Sequence, residues 1–159
     1  MTLVVYVGGA RSGKSRLAVE HASAAGAPVV FVATGEAGDE EMAARIAHHR
    51  AERPPHWQTI EEPLELARAL REATVEATVI VDCLSLWVAN GGGDAAAVDA
   101  AAARPALTIA VTNEVGLGIV PANALARAYC DDLGRVNAAW VAAADEAYFV
   151  VAGKTLPLA

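Results

Sequence analysis

The apolar run Leu3-Val4-Val5-Tyr6-Val7, followed at once by Gly8-Gly9-Ala10-Arg11-Ser12-Gly13-Lys14-Ser15, constrains this chain more than any other feature. The run reads as a buried strand. The eight residues after it fit G-x-x-x-x-G-K-[ST] without a mismatch, and the segment from Ser15 to about Ala25 reads as the helix that such a motif requires. The physical reason for the pattern is local. Glycines let the backbone wrap closely enough to aim its N–H groups at a β-phosphate, at the positive end of the helix that follows. Lys14 is expected to neutralise charge on the β- and γ-phosphates, and the Ser15 hydroxyl to ligate Mg²⁺. Gly8, Gly9, Ala10, Arg11, Ser12, Gly13, Lys14 and Ser15 are therefore candidate nucleotide contacts, with Lys14 also a catalytic candidate.

The rest of the chain alternates short apolar runs with longer alanine-rich amphipathic segments, the signature of a parallel sheet covered by helices. Strands are expected at 29–33, 57–60, 79–81 and 108–111, with 148–151 closing the sheet. Helices are expected from Asp39 to about Arg53, from about Pro63 to Glu72, and from about Asn123 to Ala144. The first of these stops at Pro54-Pro55, where proline removes a donor and blocks helical continuation. Residues 90–106 are glycine- and alanine-rich and read as a flexible loop plus a weak helix, without chemistry. The expected fold class is α/β: a P-loop NTPase with a mostly parallel sheet flanked by helices. At 159 residues the chain is expected to form one nucleotide-binding domain over 1–159, large enough to bury a core without disulfide or metal.

Composition narrows the partners. Twelve basic against nineteen acidic residues give a net charge of −7 without a basic cluster, which argues against tracking a nucleic-acid backbone. The mean hydropathy of +0.33 comes from alanine rather than from any membrane span. No basic segment precedes the first strand-like run as in a signal peptide. A cytoplasmic protein without an integral membrane segment is expected, with Cys83 and Cys130 reduced and structural because neither sits in a metal-binding spacing.

Two further features carry chemistry. Thr78-Val79-Ile80-Val81-Asp82 is a buried-strand pattern ending in an acid, and a carboxylate there is expected to hold the magnesium shell opposite Ser15. Asp39 to Arg50 projects as a helix whose apolar stripe is Met42 and Ile46. His49 falls beside that stripe. His48 falls among Glu41, Ala44, Arg45 and Glu52. A neutral imidazole is a nucleophile at physiological pH, and its attack on an α-phosphate would give a covalent phosphoramidate. Projection alone leaves these histidines, with Arg45, Arg50 and Arg53, as solvated residues of a polar face.

Several blocks, in order over most of the chain, carry a resemblance: G-G-A-R-S-G-K-S at 8–15, A-T-G-E at 33–36, and D-E-E-M-A-A-R-I-A-H-H-R-A-E-R-P at 39–54. H-W-Q-T-I-E-E-P at 56–63, T-N-E-V-G-L-G-I-V-P at 112–121 and D-D-L-G-R-V-N at 131–137 follow. Together these resemble the bifunctional adenosylcobinamide kinase / adenosylcobinamide-phosphate guanylyltransferases of cobalamin biosynthesis. The resemblance implies a RecA-like sheet, and an enzyme that phosphorylates the aminopropanol hydroxyl of adenosylcobinamide with ATP or GTP. It then implies transfer of GMP from GTP to that phosphate, giving adenosylcobinamide-GDP and pyrophosphate. Its nucleophile matches His48. By the same match, Thr34, Gly35, Glu36, His49, Arg50, Ala51, Glu52, Glu61 and Asp82 are implied guanine-nucleotide contacts. Mg²⁺ is the implied cofactor and a homo-oligomer, by resemblance a trimer, the implied assembly. Between Trp87 and Thr108 the chain looks shorter than the family pattern. Asn113, Glu114, Asp131, Asp132 and Arg135 receive no role from the residues alone.

Two other readings compete. A P-loop kinase of another small metabolite would transfer a γ-phosphate with no covalent step, and a nucleotide-dependent interaction module would bind without turnover.

Overall fold

The computed structural model describes residues 2–158; residues 1 and 159 of the expected 1–159 domain lie outside the described residues. Seven strands form one sheet: β1 (Leu3–Gly8), β2 (Val29–Ala33), β3 (Gln58–Glu61), β4 (Thr78–Asp82), β5 (Thr108–Asn113), β6 (Glu146–Val151) and β7 (Lys154–Pro157). Their spatial order is β3-β2-β4-β5-β1-β6-β7. All neighbouring pairs are parallel except β6 with β7, which is antiparallel. The mostly parallel α/β architecture is as expected.

Six helices connect the strands: α1 (Lys14–Ala24), α2 (Glu40–Ala51), α3 (Leu66–Glu72), α4 (Leu84–Ala89), α5 (Ala95–Ala102) and α6 (Ala124–Ala143). The central strands β1, β4 and β5 are covered on both faces, so their residues read as unbroken apolar runs. On one face, Ala18 and Ala22 of α1 pack on Val4, Tyr6, Phe31, Ile80, Ile109 and Val111. On the other, α3 to α6 bury Leu66, Leu70, Leu84, Trp87, Leu133 and Trp140 against Val5, Val7, Val79 and Val81.

Sequence and structure differ at two elements. Leu84–Ala89 is a helix of its own, and the sheet does not close at β6, because Lys154–Pro157 adds an antiparallel edge strand. Arg104 then stitches the end of α3 to the segment that follows. Its guanidinium is buried and donates to the carbonyls of Leu70 (2.9 Å), Ala73 (3.2 Å), Thr74 (2.9 Å) and Ala77 (2.8 Å). The shortened 88–107 region is ordered as a glycine turn leading into α5, whose N-cap is Asp94.

Candidate active site

Parallel pairing brings the ends of β1, β4 and β5 to one edge. Gly8 lies opposite Asn113, and Asp82 opposite Val111. Adjacent strands are about 4.8 Å apart. The glycine-rich turn, the acid of β4 and the residues after β5 therefore share one edge of the sheet.

The turn is built from the conformations its sequence permits. A Cβ at Gly8 would sit 2.3 Å from the Val150 carbonyl oxygen of β6, so only glycine fits that strand end. Gly13 caps α1 with φ of 99°, in the left-handed region that favours glycine. The tight turn joining β6 to β7 braces the loop from outside: the Gly153 N–H donates to the Ser12 carbonyl at 2.8 Å. Lys14 is buried, and its ammonium donates to the Gly9 carbonyl at 2.5 Å and the Ser12 hydroxyl at 3.3 Å. Burial pushes the Lys14 pKa down, while the Asp82 carboxylate opposes that fall. The ammonium thus stands in the field of the acid expected to share its site. Ser15 follows in the first turn of α1, and both Ser15 and Asp82 are half-buried.

Thr34 is fully buried, and its hydroxyl is engaged with the backbone of Cys83, so it holds the chain at the end of β4. Gly35 is half-buried beneath α2, where a Cβ would lie 3.5 Å from Ile46 Cδ1 and 3.3 Å from Leu86 Cδ1. Glu36 is exposed on the adjoining loop.

The α2 helix starts at Asp39, whose carboxylate accepts from the Met42 N–H at 2.7 Å, and it has no fully buried residue. The separation of its histidines follows the projection. His48 is 73% exposed and His49 43%, and the Glu52 carboxylate lies 3.3 Å from His48 Nε2 and 3.6 Å from His49 Nδ1. Arg50 pairs with Glu61 of β3, tying the helix to the sheet edge; Ala51 is exposed.

Arg53 is not simply solvated. Its guanidinium lies 3.6 Å from the centroid of the Phe31 ring and donates to Thr59 Oγ1 at 3.4 Å, while its buried Nε has no partner among the described residues. Burial lowers its pKa, and Asp82 acts in the opposite direction.

Other residues left without a role are now placed. Asp132 and Arg135 form an exposed pair on α6 at 2.5 Å, and Asp131 is exposed beside them. Asn137 was missed. It is buried on the α6 stripe formed with Leu133, Val136 and Trp140, accepts from the Thr112 hydroxyl at 2.6 Å and donates to the Asn113 carbonyl at 2.9 Å. A polar residue among apolar positions at helical spacing was its signal. The Ser85 hydroxyl accepts from the Asn113 N–H at 2.9 Å, so the end of β5 is fixed from two sides.

Oxygen donors suit Mg²⁺, and a hydroxyl with one carboxylate matches an ion that takes its remaining ligands from phosphates and water. Ser15 and Asp82 fit this kind of site.

Comparison with known proteins converges on one family. The chain matches the family model described as cobinamide kinase / cobinamide phosphate guanyltransferase over residues 3–158. It is 45% identical to a bifunctional adenosylcobalamin biosynthesis protein, CobP, of Pseudomonas aeruginosa, covering 97% of this chain and 95% of that one. It is 41% identical to the bifunctional adenosylcobalamin biosynthesis protein CobU of Salmonella typhimurium, covering 95% and 96%. Among solved structures, the flagellar accessory protein FlaH from Methanocaldococcus jannaschii superimposes with a TM-score of 0.56 at 13% identity, over 99% of this chain and 77% of that one. An ATPase from a type III secretion system gives 0.55 at 12%, over 93% and 50%. The last two similarities show a shared fold and nothing more. Agreement across nearly the whole length of both chains, with the phosphate-binding turn intact, places this chain in the cobinamide kinase / cobinamide phosphate guanyltransferase family.

Proposed function

We propose that this chain phosphorylates adenosylcobinamide and then transfers GMP to the product through His48, using one phosphate cradle for both nucleotides. Exposure of the His48 imidazole beside the Glu52 carboxylate, on a helix tied to the edge bearing Asp82, supports the covalent half.

In the first reaction Gly8 to Ser15 hold the triphosphate, and Lys14 neutralises charge that develops on the β–γ bridge as the γ-phosphoryl leaves for the acceptor hydroxyl. Ser15 and Asp82 would hold Mg²⁺, which supplies charge neutralisation and alignment of the phosphates. In the second reaction a neutral His48 nitrogen attacks the α-phosphorus of GTP. The bond to the β-phosphate oxygen breaks and pyrophosphate leaves. A phosphate oxygen of adenosylcobinamide phosphate then attacks the same phosphorus, the N–P bond breaks, and the imidazole is restored neutral. Glu52 stabilises the positive charge that the ring carries as the first bond forms. Gly35, Glu36, His49, Arg50, Ala51 and Glu61 surround this edge as proposed nucleotide contacts. The reading includes a cytoplasmic enzyme assembled as a trimer; the exposed Ile119, Val120 and Leu125 after β5 give it an apolar surface for subunit contact. No described helix is long and apolar enough to cross a membrane.

Incubation with GTP labelled in the α-phosphate tests the covalent half. Acid-labile label on the wild-type chain and none on His48→Ala is the expected result. Full labelling of His48→Ala moves the nucleophile elsewhere, and a wild type that transfers only γ-phosphate leaves a kinase alone.

A further inference from the structure

Phosphoryl transfer to an alcohol requires a group that accepts the hydroxyl proton, and none has been assigned so far. The candidates are the carboxylates at the C-terminal edge of the sheet. Glu61 belongs to β3, four strands from β1 and roughly 19 Å away, and it is paired with Arg50. Glu62 is buried and engaged with the start of α3. Asp82, two strands away, is proposed for the metal side. Glu114 alone follows directly from β5, the strand next to β1, and its N–H donates to the Gly8 carbonyl at 3.0 Å.

Glu114 also lines a cavity of about 420 Å³ along the outer rim of the phosphate-binding turn. Its other walls are Gly9 to Ser12 of the turn, Leu117, and Phe149 to Ala152 at the end of β6. It is the only carboxylate among the lining residues. The Gly116 N–H donates to Glu114 Oε1 at 2.5 Å, which fixes the carboxylate in orientation. Its second oxygen has no protein partner among the described residues. The support beneath is stiff: Asn113, one residue earlier, is held by Ser85 through its N–H and by Asn137 through its carbonyl. A mobile loop base would lose orientation, whereas this carboxylate starts from an anchored strand end.

We propose that this cavity is the acceptor-alcohol site of the kinase reaction and that Glu114 is its general base, an inference that rests on the proposed kinase activity. The hydroxyl oxygen of the acceptor attacks the γ-phosphorus, its proton passes to the free carboxylate oxygen of Glu114, and the bond between the γ-phosphorus and the β–γ bridging oxygen breaks. The nucleoside diphosphate leaves with that electron pair. Leu117 and Phe149 give the cavity one apolar wall against which the carbon skeleton of the alcohol rests.

Steady-state phosphorylation of adenosylcobinamide with γ-labelled ATP tests this on the intact chain. Glu114→Gln keeps the shape and an acceptor for the Gly116 N–H but cannot take the proton. A fall in kcat of about 10²-fold or more is expected, with the KM for ATP within threefold of wild type and partial recovery in Glu114→Asp. Leu117→Asp, which places charge in the apolar wall, is expected to raise the KM for adenosylcobinamide at least tenfold without moving that for ATP. Retention of kcat within threefold in Glu114→Gln overturns the proposal, as does a loss accompanied by an equal rise in the KM for ATP, which would mark a distorted phosphate turn. A wild-type chain that binds ATP but phosphorylates no adenosylcobinamide removes the underlying kinase reading itself.

Discussion

The Thr34 hydroxyl donates to the Cys83 carbonyl at 2.7 Å and accepts from the Cys83 N–H at 2.9 Å, so one side chain satisfies both backbone groups of a residue on the neighbouring strand end. Thr34 also donates its own N–H to the Asp82 carbonyl at 3.3 Å, and its carbonyl accepts from Asn90 Nδ2 at 2.8 Å. The chain direction immediately after Asp82 is thereby fixed by β2. Thr34→Val keeps the shape and removes the hydroxyl, leaving the buried Cys83 N–H unpaired while the Cys83 carbonyl keeps the Trp87 N–H at 3.2 Å. A loss of about 2 kcal/mol in urea unfolding is expected, together with lower affinity for nucleotide in the presence of Mg²⁺ by titration.

Gly8→Ala tests the close approach of β1 to β6. The new methyl would have to displace the Val150 backbone carbonyl, a strand group that cannot swing aside like a side-chain tip. Overpacking of this kind costs about 1–3 kcal/mol. Both phosphoryl and guanylyl transfer are expected to fall, while Gly9→Ala, where an added Cβ meets nothing within 4 Å, is expected to leave the melting temperature unchanged.

Arg104→Ala strips four carbonyl oxygens of their charged donor at once. Thermal or urea unfolding should show a loss of about 3–5 kcal/mol, among the largest for a single site in the chain. Arg104→Lys, whose ammonium has three donors rather than five, is expected to recover only part of it.

Glu62 gives an acid-dependent term. Burial raises its pKa, but the N–H groups of Glu65 and Leu64, with the Arg68 guanidinium, outweigh that and leave it below the ordinary carboxylate value. A depressed folded-state pKa contributes stability above the unfolded value, and that contribution is lost as pH falls through the folded value. Glu62→Ala is therefore expected to be less stable than wild type at pH 7. The two unfolding curves should approach each other as pH falls through and below the ordinary carboxylate range, where first the unfolded and then the folded carboxylate takes up its proton. A gap independent of pH from 7 down to 3 would assign Glu62 no ionic contribution.

What could be read before the structure depended on how local the cause was. The β1–turn–α1 unit was legible because glycine spacing and an adjoining apolar run are local requirements. Asp82 was legible as an acid ending a buried strand. Strands 29–33 and 108–111, and the long α6 helix, announced themselves through β-branched runs and an amphipathic stripe. Leu84–Ala89 was not, because six mostly apolar residues, four of them buried, give no period that distinguishes helix from strand. Lys154–Pro157 was hidden for the opposite reason. All four of its residues are exposed, and it is a strand only because β6 offers it a free edge; Pro157 is acceptable there because an edge strand need not donate outward. At the site, helical projection separated His48 from His49 correctly. It could not show that Arg53 turns under the sheet edge to meet Phe31, or that Thr34 spends its hydroxyl on Cys83, since both depend on strands brought together by topology.

The bond from the Gly153 amide to the Ser12 carbonyl joins the hairpin at one margin of the sheet to the turn that grips phosphates. Stiffness in that turn is thus partly borrowed from a distant stretch of sequence. Slow amide exchange at Gly153 would report on how tightly the turn is held. Any substitution that loosens the β6–β7 ribbon should surface first as weaker nucleotide retention, before global unfolding registers it.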